Sequence, residues 1–327
     1  MAGAASSQVR LMNSSSFCSR TLLTGEIQFT LYTSDASQWA YVAHLTIDEK
    51  GYEPSEYIVK QIGLGKQPHK ITDLIPNTGL VVDGENFAPE YVQINPNGTI
   101  PSLTSSSLPE PLVDSKDILR YLDSNHPKGP SLFPADPKQR HKIEELIAHV
   151  HQPKLSTNLI LLQARDAQEL GAKKASFWKD FVRNRQRKLI KYGATHPNIP
   201  LYLLRTPENG KLYHIYNASE IGPKHDQFFA DSRQGYKDFA AGLNELDSMI
   251  VLPYAAGDKV TAADLHIVPW LAHALWGAGG KTIEEFEPLK ELIKQSVPGF
   301  EFGDNTMTWW RNISGTDSFQ KNYPSLH

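Results

Sequence analysis

Proline punctuates the chain at Asn125-His126-Pro127-Lys128-Gly129-Pro130 and again at Pro134-Ala135-Asp136-Pro137, and the two flanks follow different periods. Ahead of this stretch, β-branched and aromatic runs alternate around short helical segments. Beyond it, apolar residues return every three or four positions. A chain divided this way folds as an α/β part, a linker and a helical part. With 327 residues there is enough chain for each part to bury a sizeable core.

On the N-terminal side, order begins at Ile27-Gln28-Phe29-Thr30-Leu31-Tyr32, a strand by composition and alternation. Ser34-Asp35-Ala36-Ser37 offers helix N-cap chemistry, Trp39, Val42, Ala43 and Thr46 recur on one helical face, and Gly51 stops the helix. A second strand around Ser55–Lys60 completes a strand–helix–strand unit, which builds a parallel pair with a right-handed crossover. Residues 61–90 carry three prolines and four glycines without periodicity and read as a surface excursion. Gly63-Leu64-Gly65-Lys66 lacks the spacing and the Ser/Thr of a phosphate loop. Asn95-Pro96-Asn97-Gly98 is a turn, Pro101 stands ahead of a strand, Leu112-Val113 is a short strand, and Asp114-Ser115 caps the next helix.

The helical side is expected to hold one helix from Lys138 to Gln152, a second apolar-periodic segment from Leu155 to Leu170, and a basic amphipathic helix from Phe177 to Lys191. Asn198 to Asn217, with Glu208-Asn209-Gly210 at its middle, reads as a hairpin between helices. Thr261-x-x-Asp264 is a capping box, and Pro269 falls inside the helix it opens.

Composition narrows the function classes. Thirty-three Lys and Arg against 36 Asp and Glu leave no basic field for a nucleic-acid backbone. No apolar run approaches the roughly 20 residues that span a bilayer. A lone cysteine, Cys18, excludes an internal disulfide scaffold and a cysteine-rich metal site, and favours a reducing compartment. His149-x-His151 is poorly spaced for one helix face, so no metal site is expected. Before Glu26 the chain has Arg10, Arg20, six serines and no acidic residue, the composition of a flexible tail or of a mitochondrial transit peptide. The expected location is the cytoplasm, with the mitochondrion as the alternative.

The order of motifs resembles the soluble glutathione transferase family, on its serine-type, theta- and zeta-like side. Ile100-Pro101 is similar to that family's cis-proline loop, Asp114-Ser115 with Ile118-Leu119-Arg120-Tyr121-Leu122 to its Ser-helix pattern, Leu132–Pro137 to its linker, and Gly257 through Asp264 to its second-domain helix start. The resemblance runs from Ile27 to about Leu275. It implies a thioredoxin-like α/β domain over residues 27–124, a linker over 125–137 and an all-α domain over 138–327. The latter would carry an insertion at 171–228 and a C-terminal extension, after a tail over 1–26.

The same resemblance implies chemistry for particular residues. Glutathione is the expected co-substrate. Its thiol is largely protonated at neutral pH, and a hydroxyl donor beside a helix N-terminus favours the thiolate. Ser37 is the candidate donor, either catalytic or only a cap, with Ser34 as its runner-up. Ile100 would pair with the cysteinyl backbone and Pro101 would hold that geometry. Ser115 would receive the γ-glutamyl carboxylate and Asp114 the amine, while Thr99, His69 and Lys70 are candidates near the glycyl end. His149, Arg165, Trp270, His273, Trp309 and Trp310 are candidate lining for a hydrophobic electrophile.

The implied activity is transfer of glutathione to a small electrophile, in detoxification or secondary metabolism, by a homodimer without nucleic-acid or membrane partners. A glutathione-dependent isomerase or lyase is compatible with the same residues. So is a non-catalytic binding or regulatory protein on the same fold, which the two insertions favour.

Overall fold

The computed structural model describes residues 27–64, 84–127 and 129–327. Strands β1 (Phe29–Thr33), β2 (Tyr57–Gln61) and β3 (Ser102–Thr104) form a sheet in the order β2-β1-β3. β1 runs parallel to β2, with Phe29 opposite Tyr57, and antiparallel to β3, with Tyr32 opposite Ser102. The parallel pair needs a crossover, and helix α1 (Ala40–Lys50) supplies it, ending where Gly51 takes a left-handed φ of 73°. Phe29 and Leu31 of β1 pack on Ala43 and Ile47 of α1, because alternate strand residues share one face.

α1 starts later than expected. Residues Ser34–Trp39 form turns, with the Ser37 N–H on the Ser34 carbonyl and the Ala40 N–H on the Ser37 carbonyl, both at 3.0 Å. No side chain caps the helix at Trp39. Within the excursion, Gly63 and Glu85 exchange two hydrogen bonds, of 2.8 and 2.6 Å, which close its ends together. A 3₁₀ turn at Glu85–Phe87 and helix α2 (Pro89–Val92) then lead to the Ile100–Pro101 bond, which is cis. Leu103 and Leu112 form the bridge that stands for the short strand, and α3 (Ser115–Asn125) follows. His69, Lys70 and Cys18 lie outside the described residues.

The helical part comprises α4 (Pro137–Val150), α5 (Asn158–Leu162), α6 (Ala167–Lys174), α7 (Phe177–Thr195), α8 (Pro200–Asn217), α9 (Pro223–Met249), α10 (Ala262–Gly277), α11 (Glu287–Lys294), α12 (Asp304–Ser314) and α13 (Asp317–Asn322). The segment expected to be one helix over Leu155–Leu170 is broken into a 3₁₀ turn, α5 and α6. The Asp166 carboxylate caps α6 through the Glu169 N–H at 2.8 Å, so a new helix starts there. The expected hairpin over Asn198–Asn217 is helix α8 instead. Asn209 is no turn residue: its amide donates to Gln186 Oε1 on α7 at 2.8 Å, and tertiary packing overrides the local Asn-Gly signal.

α10 is buried along its whole length from Ala262 to Leu275, and its capping box has the Asp264 carboxylate on the Thr261 N–H at 2.8 Å. Its apolar residues belong to one cluster with Val42 and Leu45 of α1 and Leu119 of α3, so one core runs through both parts of the molecule. α13 returns the chain to α1, where the Asn322 amide meets Asp48 at 2.7 Å. The fold is a thioredoxin-like α/β domain followed by an all-α domain.

Candidate active site

The turn ahead of α1, the cis-proline loop, the Phe87 region and helices α5, α7 and α10 converge on a cavity of about 290 Å³. Ser37, Thr99 and Ile100 line it from the α/β side. The Ser37 hydroxyl is buried and donates to the Ile100 carbonyl at 2.9 Å. Its oxygen accepts no helix amide among the described residues, and no side chain caps α1. Ser34 is engaged locally, its oxygen accepting from the Ala36 N–H at 3.4 Å.

Since α1 opens only at Ala40, the amides of Gln38 and Trp39 stand outside it. Neither has a hydrogen-bond partner among the described residues. Both residues line the cavity beside Ser37. One hydroxyl and two unpartnered amides thus fall on consecutive cavity-lining residues, donors of the kind an anion accepts from.

The cis-proline loop is fixed from beneath. Asn95 is fully buried, and its amide donates to the Thr99 carbonyl at 2.7 Å, Thr99 Oγ1 at 3.1 Å and Ser102 Oγ at 2.9 Å. The Tyr91 hydroxyl adds a bond to the Thr99 carbonyl at 2.6 Å. These contacts leave the Ile100 N–H unpartnered among the described residues. Pro101 holds its place behind Ile100 and does not line the cavity.

Asp114 and Ser115 also stand apart from the cavity lining. The Asp114 carboxylate caps α3 through the Lys116 N–H at 2.8 Å, and Ser115 beside it is buried.

Of the candidate lining residues, His273 alone faces the cavity. Its Nδ1 is 2.8 Å from Thr157 Oγ1, and that hydroxyl donates to Gln38 Oε1 at 2.7 Å. Thr157 has one proton and gives it to Gln38, so His273 must donate from Nδ1 and keep Nε2 as an acceptor. Burial, with the His327 charge in support, pushes the imidazole down to about 4, so it is neutral at physiological pH.

The other candidates serve the core. Trp270 donates to the Leu155 carbonyl and Trp309 to the Asp264 carboxylate, each at 2.8 Å, and both are fully buried. Trp310 donates to the Ile283 carbonyl at 2.8 Å. His149 lies 2.9 Å from the Gly242 carbonyl, tying α4 to α9. Arg165 pairs with Glu169, bonds the Leu292 carbonyl at 2.7 Å and lies over the Tyr236 ring. Aromatic and cationic side chains on helices went to packing, which sequence periodicity alone does not separate from lining.

What the sequence reading missed is the α7 wall. Phe177, Trp178, Phe181 and Arg185 line the cavity from a helix read in the sequence only as basic and amphipathic. The signal available was the i, i+4, i+8 spacing of Phe177, Phe181 and Arg185, which places them on one side of α7. Among the described residues no group of three His, Cys, Asp or Glu side chains is placed to hold a metal. No described helix is long and apolar enough to cross a membrane.

Residues 31–131 match the model of the glutathione S-transferase N-terminal domain. The chain is 37% identical over 76 residues to probable maleylacetoacetate isomerase 1 of Drosophila melanogaster, covering 23% of this chain and 30% of that protein. It is 36% identical over 72 residues to a stringent starvation protein A homolog of Histophilus somni, covering 22% and 32%. A zeta class glutathione S-transferase of Euphorbia esula is 41% identical over 56 residues, covering 17% and 24%. The matches thus span about a third or less of each relative's length.

Across the whole fold, human glutathione-S-transferase T1-1 in its apo form superposes with a TM-score of 0.52 at 15% identity, covering 90% of this chain and 88% of that one. A glutathione transferase homolog from sulfitobacter, solved with bound glutathione, does so with a TM-score of 0.52 at 14% identity, covering 90% and 97%. Residues 31–131 thus form a glutathione S-transferase N-terminal domain, and the chain has the fold of the glutathione transferases.

Proposed function

We propose that the protein binds glutathione, stabilises its thiolate with the Ser37 hydroxyl and the Gln38 and Trp39 amides, and adds that thiolate to a small hydrophobic electrophile. The observation that carries this reading is the Ser37–Ile100 hydrogen bond of 2.9 Å at the edge of the cavity. It places a buried hydroxyl donor beside a backbone that has both an acceptor and a free N–H to offer. Glutathione, which the sulfitobacter neighbour holds, has a cysteinyl unit able to pair antiparallel with Ile100.

On binding, the Ser37 hydroxyl turns from the Ile100 carbonyl to the cysteinyl sulfur, and the cysteinyl N–H takes over the carbonyl. The thiol proton leaves to solvent, and three N–H or O–H donors then face the sulfur anion. The thiolate attacks an electrophilic carbon, forming a C–S bond and leaving a thioether. His273 and Thr157 hold Gln38 in place and contribute a neutral acceptor to the acceptor side. Asp114 and Ser115 are proposed to take the γ-glutamyl end of glutathione, with Pro101 keeping Ile100 in register.

Isomerisation is the second reading, compatible with the likeness to the Drosophila protein. There the thiol adds to and leaves the same substrate, consuming no glutathione. Conjugation assays across electrophile classes, with glutathione consumption followed alongside, separate the two. Thioether formation abolished or strongly reduced by Ser37→Ala supports transfer, and turnover without glutathione loss supports isomerisation. Absence of glutathione binding contradicts both and leaves a non-catalytic scaffold. A homodimer is proposed for the assembly, with sedimentation as its check.

A further inference from the structure

Arg185 is unlike the other arginines of the described residues. Arg120, Arg165, Arg183 and Arg205 each pair with a carboxylate, Arg140 and Arg233 bond backbone carbonyls, and Arg187 and Arg311 are exposed to water. Arg185 is half-buried, and among the described residues no carboxylate lies within ion-pair distance of it. Its guanidinium lies over two aromatic rings, 4.8 Å from the Phe87 centroid and 5.2 Å from that of Phe181.

The same side chain lines the cavity that Ser37 lines. It also lines the adjoining cavity of about 240 Å³, which Arg205 and Glu208 share. Glu208 is already paired with Arg205 at 2.9 Å, so it offers Arg185 little compensation. Among the described residues no acidic side chain lines the Ser37 cavity.

A guanidinium partly withdrawn from water, with no carboxylate partner among the described residues, is costly to hold, and two cation–π contacts repay only part of that cost. Contact with two rings restrains the group, and a guanidinium fork so held suits a bidentate acceptor. Burial, with the like charge of Arg205 in support, lowers its pKa to about 10, so it remains a cation at neutral pH. Phe177, Trp178 and Phe181 supply flat apolar walls beside it.

We propose that Arg185 is the carboxylate receptor of this cavity, supplied by α7 from outside the matched N-terminal domain and facing the Ser37 side across it. The inference rests on the glutathione reading above. The carboxylate has two possible owners, the glycyl end of glutathione or an unsaturated, flat acceptor that itself carries a carboxylate. Both present the same two oxygens to the fork.

Trp39 and Trp178 line the cavity, so tryptophan fluorescence reports binding to the full-length protein. The probes are trans-cinnamate against trans-cinnamamide, and glutathione against its glycyl monoethyl ester, titrated into wild type, Arg185→Gln and Arg185→Lys. In wild type the charged member of at least one pair should bind tighter by a factor of roughly ten to a hundred. Arg185→Gln should collapse that ratio towards one, and Arg185→Lys should retain part of it, because it keeps charge and loses the fork.

Collapse in the cinnamate pair assigns the carboxylate to the acceptor, and collapse in the glutathione pair assigns it to the glycyl end. Unchanged ratios in Arg185→Gln, or no preference in wild type, overturn the assignment. Failure of wild type to bind glutathione overturns the proposed function instead, and the cinnamate pair then decides Arg185 alone.

Discussion

Ser37 illustrates how a single side chain changes meaning between sequence and structure. Its place ahead of a helix was legible, as was its nearness to an Ile-Pro loop through the family resemblance. The partner of its hydroxyl was not, because that depends on where the helix opens and on a carbonyl 63 residues away. Asn95 was legible only as a turn residue, yet it is fully buried and braces the loop that presents Ile100. Asn95→Ala removes three bonds from one amide and leaves buried acceptors partly unpaired, at about 1–3 kcal/mol. Urea unfolding should show that loss, and glutathione affinity should weaken beyond what the unfolded fraction explains. An unchanged affinity would mean that the loop is held by Tyr91 alone.

At the scale of elements, strands, the crossover helix, the capping box and the proline linker could all be read from period and punctuation. The α7–α8 pair could not, since Asn209-Gly210 carries a turn signal that inter-helix hydrogen bonding overrules. The linker is more than a spacer. Lys50, at the end of α1, is buried and reaches both Asp123 and the Pro130 carbonyl at 2.8 Å. A Cβ on Gly129 would lie 2.5 Å from the Lys50 carbonyl oxygen, with backbone on both sides of the clash. Gly129→Ala should therefore destabilise the protein by about 1–3 kcal/mol, the usual cost of overpacking. The thermal midpoint checks this, and an unaltered midpoint would show that the linker yields without cost.

For the whole molecule, two sequence parts with different periods fold around one core, and the cavity opens where they meet. Three histidines are held in that joint. Burial is the largest cause that lowers His151 to about 4, His273 to about 4, and His266 far below its ordinary value. In the unfolded chain each takes a proton near pH 6.5, so the folded state binds fewer protons below that point. Their contribution is present above about pH 6.5 and is lost as pH falls towards 4. The urea midpoint should accordingly drop by an amount equivalent to several kcal/mol between pH 7.5 and 5, and a flat midpoint would contradict the burial. The central claim concerns the thiolate in the cavity. Ultraviolet titration of glutathione bound to wild type should place its thiol pKa well below that of free glutathione, with Ser37→Ala restoring it most of the way. A bound thiol still fully protonated near pH 7.5, in wild type and Ser37→Ala alike, would contradict the account.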